Sequence, residues 1–274
     1  MQEQGVWTPP TGVLGELVEA AKGRAAAAAP QSGALRERLA ARSGRPPSFA
    51  AALRASDRLR VIAEIKRRSP SQGDLAPTLD ARAQAAAFAQ GGAAAISVLT
   101  EPERFGGDLA DLPVASAAGL PMLRKDFIVH SVQLLEAAAY GASAVLLIAR
   151  ALPAGHLHEL YHEARDYGLD VLVEVHAASE LDAVLAAAYP IVGVNNRDLE
   201  SLRIDPAVGA GLVPRIPADR LAIYESGIRS PRDAEAAVAA GADAVLVGSS
   251  LSKETDVPSA VAALAELPRG RRRA

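Results

Sequence analysis

Residues 131–148 read SVQLLEAAAYGASAVLLI, and this stretch holds the repeating unit of the whole chain. Ser131–Tyr140 spaces its leucines and alanines as an amphipathic helix does. Gly141 follows at the place where a helix is commonly closed by a left-handed residue. Ala144–Ile148 is then an unbroken apolar run. A strand apolar on both faces is buried on both faces, which is the condition inside a parallel sheet covered by helices.

Working outward, the unit recurs. Apolar runs stand at Val61–Ile65, Ala94–Leu99, Pro121–Leu123, Val171–Val175, Ile191–Val194, Leu221–Tyr224 and Ala244–Val247. Helical patterns lie between them at Leu79–Gln90, Leu157–Tyr167, Ser179–Ala188 and Pro231–Ala240, several closed by glycine at Gly91, Gly168 and Gly241. Eight strands alternating with helices predict an α/β fold, a closed (β/α)8 TIM barrel. An open doubly wound sheet is the alternative, but no Gly-x-Gly-x-x-Gly follows the first strand. Residues 1–60 are read as a helical extension packing on the barrel, with amphipathic stretches at Val13–Lys22 and Ala34–Ala41 separated by an alanine run and Pro30. The barrel spans 61–268, and the basic residues of 269–274 are expected to form a solvated tail.

Composition narrows the function. Apolar residues make up 50% of the chain and aromatics 4%, which suits close helix–strand packing better than a β-sandwich. The net charge of −3 offers no footprint for nucleic acid. With no cysteine there is neither a disulfide framework nor a thiol nucleophile. No apolar stretch reaches membrane-spanning length and no signal peptide is legible, so a cytoplasmic protein is expected, as a monomer or weak homo-oligomer. His156, His158 and His162 share one helical pattern, but without a convincing third ligand they read as a solvated face.

The chemistry gathers where the strands end, the face that carries active sites in such barrels. Side chains alternate along a strand, so Glu64 and Lys66 share one face of the first. The third strand leads into Arg124-Lys125-Asp126-Phe127, the fifth carries Glu174 and His176, and the sixth ends in Asn195-Asn196-Arg197-Asp198. Glu225-Ser226-Gly227 ends the seventh and Gly248-Ser249-Ser250 the eighth. Loops after strands seven and eight often cradle a phosphate with backbone N–H groups, and Ser226-Gly227 and Gly248-Ser249 have the small residues this requires. Arg197 and Lys66 supply cations for a phosphorylated small molecule.

These motifs together resemble the indole-3-glycerol-phosphate synthase family. The resemblance rests on Glu64–Ser71, Ser97–Glu101 with Phe105-Gly106-Gly107, Arg124–Ile128, Val173–His176, Gly193–Leu199, Glu225–Ile228 and Val247–Leu251. It implies closure, decarboxylation and dehydration of 1-(2-carboxyphenylamino)-1-deoxyribulose 5-phosphate, without metal or organic cofactor. It assigns Lys125 as general acid, Glu174 as general base, Glu64 and Lys66 to dehydration and Asn195 to orientation. Arg197, Ser226, Gly227, Gly248 and Ser249 would line the phosphate site, Glu225 and Ser69 would belong to the same mouth, and Phe105 would touch the aryl ring. Lys66 and Lys125 are expected to lower each other's pKa, and burial is expected to make Glu174 a stronger base. The chain departs from the family pattern at Lys22-Gly23-Arg24, which runs into five alanines where charged residues are usual. Two other functions compete with this one. The isomerase preceding this step would need a cysteine the chain lacks. A non-catalytic phosphosugar-binding paralogue acting as sensor or scaffold would have no use for the acid–base set.

Overall fold

The computed structural model describes residues 7–272. Eight parallel strands close a barrel: β1 (Arg60–Ile65), β2 (Ala95–Leu99), β3 (Met122–Lys125), β4 (Ala144–Ile148), β5 (Asp170–Val175), β6 (Ile191–Asn195), β7 (Leu221–Glu225) and β8 (Ala244–Val247). Each strand pairs with its sequence neighbours, and β8 pairs with β1 to complete the ring. The strands are buried almost throughout, as their apolar runs require. Three of them run further than their apolar core. β3 extends to Lys125, β6 to Asn195 and β7 to Glu225, so each ends on a polar residue of the barrel mouth.

The helices are α1 (Gly12–Ala28), α2 (Ser32–Ala40), α3 (Phe49–Arg54), α4 (Ala81–Gln90), α5 (Pro102–Phe105) and α6 (Asp111–Ala115). They continue as α7 (Ser131–Ala139), α8 (Ala154–Asp166), α9 (Ala178–Ala186), α10 (Pro206–Leu212), α11 (Pro231–Ala239) and α12 (Val257–Ala265). The alanine run is not a separator: α1 continues through it to Ala28, since alanine has the highest helix propensity. Its small side chains serve packing, for Ala25 and Ala28 sit with Leu35 of α2 against Val132, Leu135 and Ala139 of α7. α3 places fully buried Phe49 and Leu53 beneath the ring. α10 escapes periodicity because two of its seven residues are glycine. No helix among the described residues is long and apolar enough to cross a membrane.

The C-terminal residues correct the expectation of a solvated tail. Asp243, buried just ahead of β8, accepts a hydrogen bond from Arg269 Nε at 2.7 Å and another from Arg272 Nη2 at 2.7 Å. Arg272 also donates to the Ile216 and Arg220 carbonyls, and its side chain is only 3% exposed. Desolvation disfavours a buried arginine, but a carboxylate and carbonyls placed along its edge offset that cost. Arg269 and Arg272 therefore fasten residues 269–272 to the N-terminal face of the barrel, opposite the mouth, while 273–274 lie outside the described residues. Asp243→Ala leaves two cations unpaired and should cost about 3–5 kcal/mol of unfolding free energy in a denaturant titration. A loss below ~1 kcal/mol would show that water replaces the carboxylate there.

Candidate active site

The strand ends converge on a cavity of about 370 Å³. Every sequence-predicted site residue lines it except Ser69. Ser69 lies buried in a short hairpin, where its hydroxyl is 3.1 Å from that of Ser71. Ser71 in turn accepts from Arg197 Nη1 at 3.0 Å, so Ser69 stands behind the site rather than in it.

Two buried acid–base pairs face the cavity. Just past the end of β1, Lys66 Nζ stands 3.4 Å from Glu64 Oε1, and Ser97 Oγ donates to Glu64 Oε2 at 3.3 Å from β2. Across the barrel, Lys125 Nζ is 3.7 Å from Glu174 Oε2. Neither arrangement tolerates extra bulk. A Cβ on Gly248 would overlap the Glu64 carboxylate, and one on Gly193 would overlap that of Glu225. Gly193 and Gly248 thus give the carboxylates their room, a second reason for the glycine of the β8 loop besides approach to an anion.

The two lysines differ electrostatically, and only one follows expectation. Burial lowers the Lys66 pKa, Glu64 partly restores it, and Lys125 and Arg197 push it down further. Burial would lower Lys125 too, but the Glu174, Glu64 and Glu225 carboxylates outweigh that and raise it above the ordinary lysine range. Glu174 is likewise a correction. Its burial favours the neutral acid, yet Lys125 and His176 hold it below the usual carboxylate range. The mutual pair wins because each charge is the other's nearest compensation in a dry site.

His176 stands between two carboxylates. Its Nε2 is 3.2 Å from Glu174 Oε1, while Nδ1 is 3.7 Å from Glu180 Oε2. Burial opposes the imidazolium, but these two carboxylates raise its pKa to about 10. The available signal was its position two residues beyond Glu174, hence on the same face of the strand. Glu225, also fully enclosed, has its pKa raised by burial and by the neighbouring Glu174 charge. Of these two neighbouring carboxyl groups, Glu174 is pushed toward its ionised form and Glu225 toward its neutral one.

The mouth has an aromatic wall and an anion-ready rim. Phe105 and Phe127 stand with ring centroids 6.2 Å apart, and Lys66 Nζ lies 5.8 Å from the Phe105 centroid. Phe127 was not singled out in the sequence because an apolar residue after a strand is ordinary. Ser226 and Gly227 adopt successive left-handed conformations (φ 64° and 89°), which turn the chain sharply at the end of β7. Arg229 and Lys253 join Ser226, Gly227, Gly248 and Ser249 around this rim. Asn195 Oδ1 accepts from Arg197 N at 3.0 Å and so fixes the start of that loop. Asn196 points the other way, donating to the Glu225 and Ser226 carbonyls and accepting from Gly209 N at 2.7 Å. Tyr224 also points outward, filling the space that Gly209 leaves open.

Among the described residues no three histidine or acidic side chains cluster as a metal site, and His158 and His162 instead stack edge to face at 4.3 Å.

A family model described as indole-3-glycerol phosphate synthase matches residues 16–264. A Nocardioides indole-3-glycerol phosphate synthase is 52% identical over 202 residues, covering 73% of this chain and 78% of its own. The Streptomyces coelicolor protein named indole-3-glycerol phosphate synthase 1 is 46% identical over 231 residues, covering 84% and 85%. Among solved structures, the 3-hexulose-6-phosphate synthase of Salmonella typhimurium superposes with a TM-score of 0.60 at 15% identity, over 76% of this chain and 97% of that one. At that identity the likeness concerns the barrel alone.

Proposed function

The chain belongs to the indole-3-glycerol phosphate synthase family of carboxy-lyases in tryptophan biosynthesis, and from that premise we propose how its own residues divide the reaction. The observation that carries the proposal is that Lys125 Nζ and Glu174 Oε2 are held 3.7 Å apart in one cavity. An acid and a base in their working protonation states are what ring closure requires.

Phosphate anchoring comes first. The substrate's phosphate sits among Ser226, Gly227, Gly248 and Ser249, and its aryl ring lies against Phe105 and Phe127. Binding energy at these two ends holds the ring carbon that bears the carboxylate against the ribulose carbonyl carbon. Lys125 gives its proton to the carbonyl oxygen as the carbon–carbon bond forms. Carbon dioxide then leaves from the same ring carbon. The electron pair of the bond so broken restores aromaticity with no proton released. Glu174, its charge steadied by His176, takes up the N–H proton while ring closure leaves the nitrogen positive and returns it as carbon dioxide departs. In the final step the new hydroxyl departs as water. Lys66, whose pKa burial lowers, gives up a proton more readily than an ordinary lysine and protonates that hydroxyl, while Glu64 takes the proton released from the substrate. Asn195 orients the substrate beside Arg197. Acid–base side chains supply the chemistry, with no resident cofactor assigned to any step.

Membership in a biosynthetic enzyme family supports a cytoplasmic location. The test is turnover of the carboxyphenylamino-deoxyribulose phosphate in chelator-treated buffer, followed by indole fluorescence. Folded protein that binds this compound without converting it would be a phosphosugar binder instead. Within the same assay Arg197→Ala should raise KM by about tenfold with kcat little changed, as expected for an interaction made equally in ground and transition states. A loss confined to kcat would move Arg197 out of substrate binding and into the chemistry.

A further inference from the structure

The N-terminal helix meets the loops of the mouth at two places: on the surface Glu16 accepts from Arg104 Nη2 at 2.6 Å, and deeper in lies Arg24. Arg24, on α1, places Nη2 3.0 Å from Asp126 Oδ1 and Nη1 3.5 Å from Glu101 Oε1. Both carboxylates are buried, and each already holds backbone. Glu101 caps α5, accepting from the N–H groups of Glu103, Arg104 and Phe105 at 3.1, 2.7 and 3.0 Å. Asp126 accepts from Phe127 N at 2.8 Å, from Thr100 Oγ1 at 2.7 Å and from Arg124 Nη2 at 3.1 Å. One carboxylate therefore sets the loop bearing Phe105, and the other sets the loop bearing Phe127.

The guanidinium sits between them. Asp126 has a second cation in Arg124, but among the described residues Glu101 has no ion pair other than that with Arg24. A buried carboxylate deprived of its cation would shift or take on water, and the short helix it caps would shift with it. Arginine suits the task because its planar fork spans two acceptors at once, where an ammonium is a point charge.

We infer that Arg24 is a positioning residue: by bridging Glu101 and Asp126 it fixes the spacing of Phe105 and Phe127, and so governs recognition of the substrate's aryl ring. This rests on the reading above that the ring enters between those two side chains. The N-terminal extension thereby contributes to ring specificity without touching substrate.

The experiment compares two ligands that share the phosphate end and differ in the ring. Arg24→Met should raise KM for the carboxyphenylamino-deoxyribulose phosphate about tenfold while the inhibition constant of glycerol 3-phosphate, which has no ring, stays within about twofold. Arg24→Lys, which keeps the charge but reaches one carboxylate at a time, should fall between wild type and Arg24→Met. It gives the same comparison if the methionine variant does not fold. An unchanged KM in both variants, or an equal loss for both ligands, overturns the inference. In the second case Arg24 would only dock the helix. Phe105→Leu separates this failure from that of the underlying reading. If it too leaves KM unmoved, the ring does not bind there. If it raises KM while the Arg24 variants do not, only the role of Arg24 is lost.

Discussion

Lys125→Met should lower kcat by about three orders of magnitude, within the ~10²–10⁴ range of general acid–base catalysis. The substitution is nearly isosteric in its stem, so the cavity keeps its shape while the carbonyl oxygen loses its proton donor. Glycerol 3-phosphate should bind as before, because the phosphate rim lies at the ends of β7 and β8 and Lys125 at the end of β3. The fold should survive as well, since Glu174 retains His176 at 3.2 Å as a cationic partner. Steady-state kinetics with a far-UV spectrum decide the matter. Activity within tenfold of wild type from a folded variant would remove Lys125 as the general acid and leave Lys66 as the nearest substitute.

Glu174→Gln should cost about 10²–10⁴ in kcat with little change in KM, because an amide fills the same space but accepts no proton. It also carries a pH signature. Lys125 and His176 hold Glu174 below its ordinary carboxylate pKa of 4.5. Its ionised form therefore contributes stability that is fully present above that ordinary value and is lost as pH falls toward the lower folded one. The amide variant should lack this part of the acid limb of the unfolding curve. Wild type and variant losing stability in parallel below pH ~4.5 would mean that Glu174 is not held ionised in the folded state.

The expectations that failed share one cause. Reading Lys125 as lowered by Lys66 and Glu174 as a base strengthened by burial left out the opposite charge that each of them faces. The two lie on strands β3 and β5, which are not neighbours in the ring, and only barrel closure aims them at each other. His176 and Asp243 were undervalued for the same reason. The first gains its charge from Glu174 and Glu180, and the second acquires Arg269 and Arg272 from the chain end. Arg24 stood in a stretch that looked like drift from the family pattern, and its two carboxylate partners are more than seventy residues away in sequence.

What the sequence determined by itself was local and periodic. Unbroken apolar runs alternating with helices, closed by glycines such as Gly141 and Gly168, prescribe parallel strands buried on both faces, and eight of them prescribe a ring. Alternation along each strand then places Glu64, Lys125, Glu174, Asn195 and Glu225 at one mouth. What only the tertiary structure decided was the partner of each charge, and with it the protonation state. Electrostatic energy in a dry cavity depends on separations of a few ångströms between groups far apart in the chain, a quantity that no spacing along the sequence contains.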